Sequence, residues 1–514
     1  AYIINTSLSP LGEPGDKPFL YPMILAAALE IGGIDEFPLR IVSVIASLLT
    51  GILLFFTVGI IGGKRPSLFS GLIYLSLPLI ANAGRHVAAE PVLVAFAMAG
   101  VYFFLLGCRK NRLVHALIAG ILFGAGFLCK LWLVLIPAFG VITGITLFET
   151  FSDERSKWGF RILPILLSAA AGFLAVAPLH LILCALLTPE TVGHWIDIYF
   201  GFSLASRTTG TGYASYWIQP WYFYFSTIAR ASALYLPLMC AGLFSFRKRW
   251  RNSPAAYIIS AWLLPLIPMS FMPVKSGGYV LPLVPPLTIL AAYGLDRLID
   301  PGPRSDARGA LLPAGMALIF VVLTQITLTV NYHPVVNNYP LLFIQLIWIL
   351  IILSESLPYR VFRSYTPRVF VLVFLLTMTA GLYRDRQITK AMVHTTGYQY
   401  IAETSAPLLS GLDPRTPCFY SPEWPSISFY TFRTGSYWQS PYHELDRPAI
   451  IKTIESKKPF LYIFGDKDSQ LYGDLGDDTL RNNLRLKTLP LDSGAADGSS
   501  FVEARVNHAM ANRR

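Results

Sequence analysis

About twelve long apolar runs, separated by short polar loops, constrain this chain more than any other feature. A helix needs about 20 predominantly apolar residues to cross a hydrocarbon core. In a bilayer every backbone polar group must be satisfied within the chain, so such runs fold as spanning helices. The runs fall at 38–61, 67–82, 91–107, 113–128, 131–148, 163–187, 226–245, 254–272, 280–297, 311–330, 340–355 and 369–383. An earlier stretch, 19–33, is too short to span and carries Glu30 and a closing Gly-Gly, so it reads as an interfacial helix. Composition agrees: 54% of the 514 residues are hydrophobic and 14% are charged, against about 25% charged in a soluble chain.

The formal charge is +11, and its placement matters more than its size. Lys64-Arg65, the Arg109–Arg112 run, the cluster FRKRWRN at 246–252, Arg304/Arg308 and Arg360/Arg363/Arg368 all fall on one face of the expected bundle. That face is cytoplasmic by the positive-inside rule. An even number of spans then puts both chain ends on the other side. No basic module stands apart from the spans, which argues against nucleic acid. Of the five cysteines, Cys108, Cys129, Cys184, Cys240 and Cys418, four sit in or beside apolar stretches without paired spacing and read as small buried hydrophobes, with neither a disulfide framework nor a zinc site.

Beyond 384 the character changes. Charges and turns return, FLYIFG at 460–465 reads as a buried strand, and TIESKK before it reads as a helix end. The chain therefore divides into an extracytoplasmic loop and interfacial helix (1–36), a transmembrane domain (37–384) and a small soluble α/β domain (385–514). The expected fold is an all-α polytopic membrane protein with that soluble domain appended.

Ionisable groups at membrane depth are costly unless a function or a partner keeps them. On the face opposite the cationic loops stand Asp16, Lys17, Arg40, Arg85, His86, Glu90, Lys130, Arg207, Lys275 and Tyr279. This mixture suits an anionic leaving group with acid/base work beside it. Each residue also has a structural reading. Lys17 fits a solvated loop, Arg40 and Arg85 fit snorkelling to headgroups, and Lys130 fits a lipid phosphate. Glu90, just before Pro91, fits a helix N-terminus. Tyr213, Tyr216, Trp217, Trp221, Tyr222 and Tyr224 fit an interfacial aromatic belt or a substrate groove. His180 reads as a packing histidine. Physics alone leaves an enzyme and a transporter both open.

Several motifs recur in an order that resembles the GT-C superfamily of glycosyltransferases. GDKPFLYPMILAAALEIGGIDEFPLRIVSVIASLL resembles the acidic-Lys-Pro segment, horizontal helix and following span of that superfamily. RHVAAEPVLVAF resembles its Arg…Asp stretch, LFGAGFLCKLWLVLIP its Lys-Gly-Pro turn, and PVKSGGYVLPLVPPLTIL its Lys…Tyr-x-x-Pro stretch. The branch resembled is that of the aminoarabinose lipid A transferases and related family-39/83-like enzymes. The resemblance implies inverting transfer of a sugar from a polyprenyl-phosphate donor to a lipid A, lipopolysaccharide or other envelope acceptor. It implies the periplasmic face of a bacterial inner membrane, with the soluble domain there too.

By motif position the resemblance makes Lys17, Arg207, Tyr279 and Lys275 contacts of the donor phosphate. It makes Glu90 and Asp16 the catalytic acids, with Arg40, Arg85 and Lys130 supporting them. Asp16 is also the one residue it offers to a divalent metal. The chain departs from the pattern at Phe19, at Leu131-Trp132 and at Glu90, where relatives carry Pro, Gly-Pro and Asp. The superfamily's first span and its following loop acid have no counterpart, so a segment upstream of Ala1 is expected. Two other classes stay open: a transporter or lipid flippase, which would need internal symmetry between halves, and a non-catalytic binding subunit of GT-C type.

Overall fold

The computed structural model describes residues 18–33, 36–152, 161–210, 218–246, 252–299, 307–331, 339–354 and 372–379, and five strand segments between 418 and 506. Two compact units divide the chain near residue 388. The larger is helical; the smaller contains the strands.

In the helical unit, α1 (Leu20–Gly32) is the short apolar helix expected at 19–33. It leads to α2 (Glu36–Ile61), then α3 (Lys64–Ser76) and α4 (Pro78–Arg85). The last two are bent by 56° at Leu77. Pro78 lacks an N–H and forces the residue before it out of the helical region, and Leu77 is extended. Next come α5 (Ala89–Lys110), α6 (Leu113–Lys130) and, after a 3-10 turn, α7 (Leu135–Phe151). Helices α8 (Ile162–Val176) and α9 (Leu179–Leu187) are parted by Ala177-Pro178. A short turn at Val192–Ile196 continues as a π-helical segment, Asp197–Ser206. Then follow α10 (Phe223–Ser232), α11 (Leu236–Ser245), α12 (Pro254–Leu263) and α13 (Leu266–Phe271). A 3-10 stretch, Gly277–Leu283, opens α14 (Val284–Ile299), and α15 (Ala307–Asn331) and α16 (Tyr339–Ser354) complete the labelled helices.

Helix occupies part of each of the twelve expected stretches, in the last only at 372–379. Among the described residues, six helices are long and apolar enough to cross a membrane, or up to eight if each bent pair is one span. The stretch at 67–82 is broken before Pro78, and Leu113–Phe151 counts once by length. The chain nevertheless reverses inside it. Lys130 at the end of α6 pairs with Glu90 at the start of α5. Glu149, near the end of α7, lies within electrostatic range of Cys108 near the end of α5. The reversal is made at Leu131, whose φ of 54° is unusual for a bulky residue.

Glycines let several helices touch backbone to backbone. A Cβ on Gly120 would strike the Ala169 carbonyl and one on Gly172 the Leu117 carbonyl, locking α6 to α8. Gly242 and Gly294 are related in the same way to the carbonyls of Leu290 and Leu238, locking α11 to α14. Small residues at crossings are how helices approach closely when lipid supplies no hydrophobic drive between them. Buried polar pairs add to this. Ser76 Oγ and Tyr235 Oη lie 2.6 Å apart. Gln345 donates to the Ala233 carbonyl at 2.6 Å and accepts from Gln325 at 3.1 Å.

The described cationic clusters share one end of the helical unit. Arg109 Nη1 donates to the Ile60 carbonyl at 3.1 Å, joining the end of α5 to the end of α2 and so to Lys64-Arg65. Glu90 and Lys130 occupy the opposite end.

The second unit holds a five-stranded sheet in the order β2-β1-β3-β5-β4, with β1 Cys418–Tyr420, β2 Gly435–Tyr437, β3 Leu461–Gly465, β4 Arg485–Leu489 and β5 Val502–Val506. Strand β1 runs parallel to β2 and β3, while β5 is antiparallel to β3 and β4. The strand expected within FLYIFG is β3. The helix end expected at TIESKK lies outside the described residues.

Candidate functional site

Glu90 occupies the first turn of α5 and Lys130 the last residue of α6, so each charge complements the dipole of its own helix. The two helices are joined by a short turn at Asn111, and their other ends therefore meet. The Lys130 ammonium forms an ion pair with the Glu90 carboxylate. It also stands 5.8 Å from the centre of the Tyr279 ring, on the 3-10 stretch before α14. Gly278 completes the approach, because a Cβ there would fall on the Glu90 carboxylate. The start of α2 joins the same end: Ser43 Oγ lies 3.5 Å from the Ala88 carbonyl. That contact joins the early turns of α2 to the residues just before α5; Arg40 lies one turn earlier on α2, and Arg85 closes α4.

Tyr21, in the first turn of α1, belongs to this group although the motif reading passed over it. Its ring is buried and lies within electrostatic range of Glu90 and Cys129. Burial first, and then the negative charge of Glu90, push its phenol above the ordinary range.

Lys275 is buried and serves as a latch. Its ammonium donates to the carbonyls of Gln219 at 2.8 Å and Met272 at 2.5 Å. The same two segments are joined by the Gln219 N–H to the Pro273 carbonyl at 3.0 Å and by a bridge between Ile218 and Val274. Burial pushes the ammonium below its ordinary value.

A ring of aromatic groups borders the site. His180 is fully buried in α9; its Nδ1 lies 2.8 Å from Tyr199 Oη, and its ring sits 4.2 Å from Trp195 and 5.6 Å from Phe19. Trp132, two residues after Lys130, donates to the Tyr199 carbonyl at 2.7 Å. The packing role expected for His180 is thus visible, but its Nε2 has no hydrogen-bond partner among the described residues. Tyr199 is therefore the point where the turn after Lys130, helix α9 and the π-helical segment leading to Arg207 converge. The phenol of Tyr199 is raised by burial.

Glu90, Lys130 and Tyr279 are thus brought together, with Arg40 and Arg85 on flanking elements, while Lys275 is engaged by backbone carbonyls. Asp16 and Lys17 lie outside the described residues, and Arg207 is described in its backbone only, as the first residue of a short helical turn. For a metal, no three His, Cys, Asp or Glu side chains gather among the described residues, and the Glu90 carboxylate is occupied by Lys130. The described donor set does not fit a metal site.

The model of the dolichyl-phosphate-mannose-protein mannosyltransferase family matches residues 16–182, a stretch holding Lys17, Glu90, Lys130 and His180. An undecaprenyl phosphate-alpha-4-amino-4-deoxy-L-arabinose arabinosyl transferase of Pseudomonas paraeruginosa is 26% identical over 316 residues, 59% of this chain and 54% of that protein. A second such transferase, from Proteus mirabilis, is 26% identical over 276 residues, 52% of this chain and 47% of that protein. The chain spans about half the length of the curated relatives it matches. Among solved structures, ArnT from Cupriavidus metallidurans bound to undecaprenyl phosphate superposes with a TM-score of 0.64 at 17% identity, covering 95% of this chain and 88% of that one. Its apo form gives the same TM-score at 15% identity. In fold, and in the ordered motifs between residues 15 and 290, the chain resembles a GT-C glycosyltransferase of the aminoarabinose-transferase type.

Proposed function

We propose that this protein is an inverting glycosyltransferase. It moves a sugar from a polyprenyl-phosphate donor to a lipid A, lipopolysaccharide or other envelope acceptor, on the periplasmic face of a bacterial inner membrane. The observation that carries the reading is the Glu90–Lys130–Tyr279 group at the end of the bundle opposite the Lys64-Arg65 and Arg109–Arg112 clusters. Under the positive-inside rule that end is extracytoplasmic, where a lipid-anchored donor presents its head group.

In a single displacement the acceptor hydroxyl oxygen forms a bond to the anomeric carbon. The bond from that carbon to the phosphate oxygen breaks, and polyprenyl phosphate departs with the electron pair. The hydroxyl proton passes to a carboxylate, with Glu90 and Asp16 as the candidates. Charge grows on the departing phosphate, and cations stabilise it. Lys17, Arg207 and Lys275 are assigned to that task with Tyr279, while Lys130 supplies the counter-charge of Glu90. Lys275 can serve only where its remaining N–H reaches the phosphate, since two carbonyls already hold it.

The same reading keeps about twelve spans and a soluble α/β domain over 385–514. The parallel strands β2-β1-β3 support the latter, because parallel neighbours require crossover connections, usually helical. Purified protein given undecaprenyl-phosphate aminoarabinose and a lipid A acceptor should release undecaprenyl phosphate. Lys17→Ala should abolish the release, and full activity in that variant would remove Lys17 from the phosphate site.

A further inference from the structure

We propose that the Tyr21 hydroxyl is a substrate contact, a hydrogen-bond donor held beside Glu90 for an oxygen of the phosphate-linked sugar lipid. Tyr21 is 6% exposed, and its hydroxyl has no hydrogen-bond partner among the described residues. Other buried tyrosines differ: Tyr199 Oη is bonded to His180 and Tyr235 Oη to Ser76. A buried polar atom without a partner is a standing cost to the fold, removed when a ligand supplies the bond.

The surroundings identify the chemistry of that ligand. Tyr21 follows Lys17 by four residues and faces a site that already contains a carboxylate, an ammonium and a second phenol. Burial and the Glu90 charge keep its phenol protonated, so it can donate to an incoming oxygen. A phosphoryl oxygen and a sugar oxygen both fit that description. The proposal rests on the transferase reading and adds a residue to the same site.

Tyr21→Phe removes the hydroxyl and leaves the ring. Loss of a group that has no partner in the free protein should leave thermal stability unchanged or raised. Binding should weaken about ten-fold, the effect of one hydrogen bond to a charged or strongly polar partner. The binding assay has two arms, undecaprenyl phosphate alone and the same lipid carrying aminoarabinose. Weakening in both arms supports the proposal with a phosphate oxygen as partner; weakening only with the sugar supports it with a sugar oxygen. Equal binding by variant and unmodified protein would overturn it alone, as would a lower unfolding temperature in the free variant, which would reveal a partner within the protein. If the unmodified protein binds neither lipid, the transferase reading falls and this inference with it.

Discussion

Replacing Lys130 by methionine keeps most of the side-chain volume and leaves the Glu90 carboxylate without its counter-charge. The two side chains retain 20% and 15% of their exposure, so the pair lies between the surface and buried limits. Exposed pairs contribute about 0–1 kcal/mol, whereas removing one member of a fully buried pair costs about 3–5 kcal/mol. Four-fifths burial places Lys130→Met at about 2 kcal/mol between those limits. Glu90→Gln should cost less, about 1 kcal/mol, because Lys130 keeps the face of Tyr279 and a flexible stem that can reach water. The double variant should therefore be more stable than the sum of the singles requires, by about 1 kcal/mol. Thermal unfolding in one detergent, followed by tryptophan fluorescence, reads this as a drop of about 4 °C for Lys130→Met, at about 2 °C per kcal/mol for a large domain. Strictly additive singles would refute the reasoning, and so would a larger loss from Glu90→Gln than from Lys130→Met.

Two further expectations concern the fold around the site. Gly294→Val places a Cβ on the Leu238 carbonyl and should abolish the yield of folded protein, while Gly315→Ala, which meets nothing within 4 Å, should be neutral or stabilising by up to about 1 kcal/mol; size-exclusion profiles of the two variants separate these outcomes. Lys275 has a depressed folded pKa, so the folded state binds fewer protons than the unfolded chain between that value and the ordinary one, and its contribution to stability rises with pH across that window. The unfolding-temperature gap between the unmodified protein and Lys275→Met should therefore widen from pH 8 to pH 10, and a gap that narrows would contradict the burial of that ammonium.

Much of the helical unit is written in local patterns. Long apolar runs become helices, and the 56° bend at Leu77 precedes a proline that was plain to read, whereas the helices across Pro178 and Pro265 stay long enough to span. The turn at Lys130 was legible too, because one cation between two apolar runs has no other comfortable place. Contacts between distant positions were not legible. Gly278 facing Glu90 and Lys275 holding the Gln219 carbonyl join residues far apart in sequence, and no period or spacing encodes them. Tyr21 was missed because a phenol on a short apolar helix reads as packing until its hydroxyl is found without a partner. Its one available signal was the four-residue spacing from Lys17.

The reciprocal glycine contacts have a mechanical meaning. Where Gly120 and Gly172, or Gly242 and Gly294, press carbonyl against backbone, no side chain lies between the two helices to change rotamer and absorb a displacement. Each pair must translate or tilt as one stiff beam. Compliance is left to the bend at Leu77, where α3 and α4 meet at 56°. A displacement at the Arg85 end of α4 would therefore swing one short lever against two fixed beams.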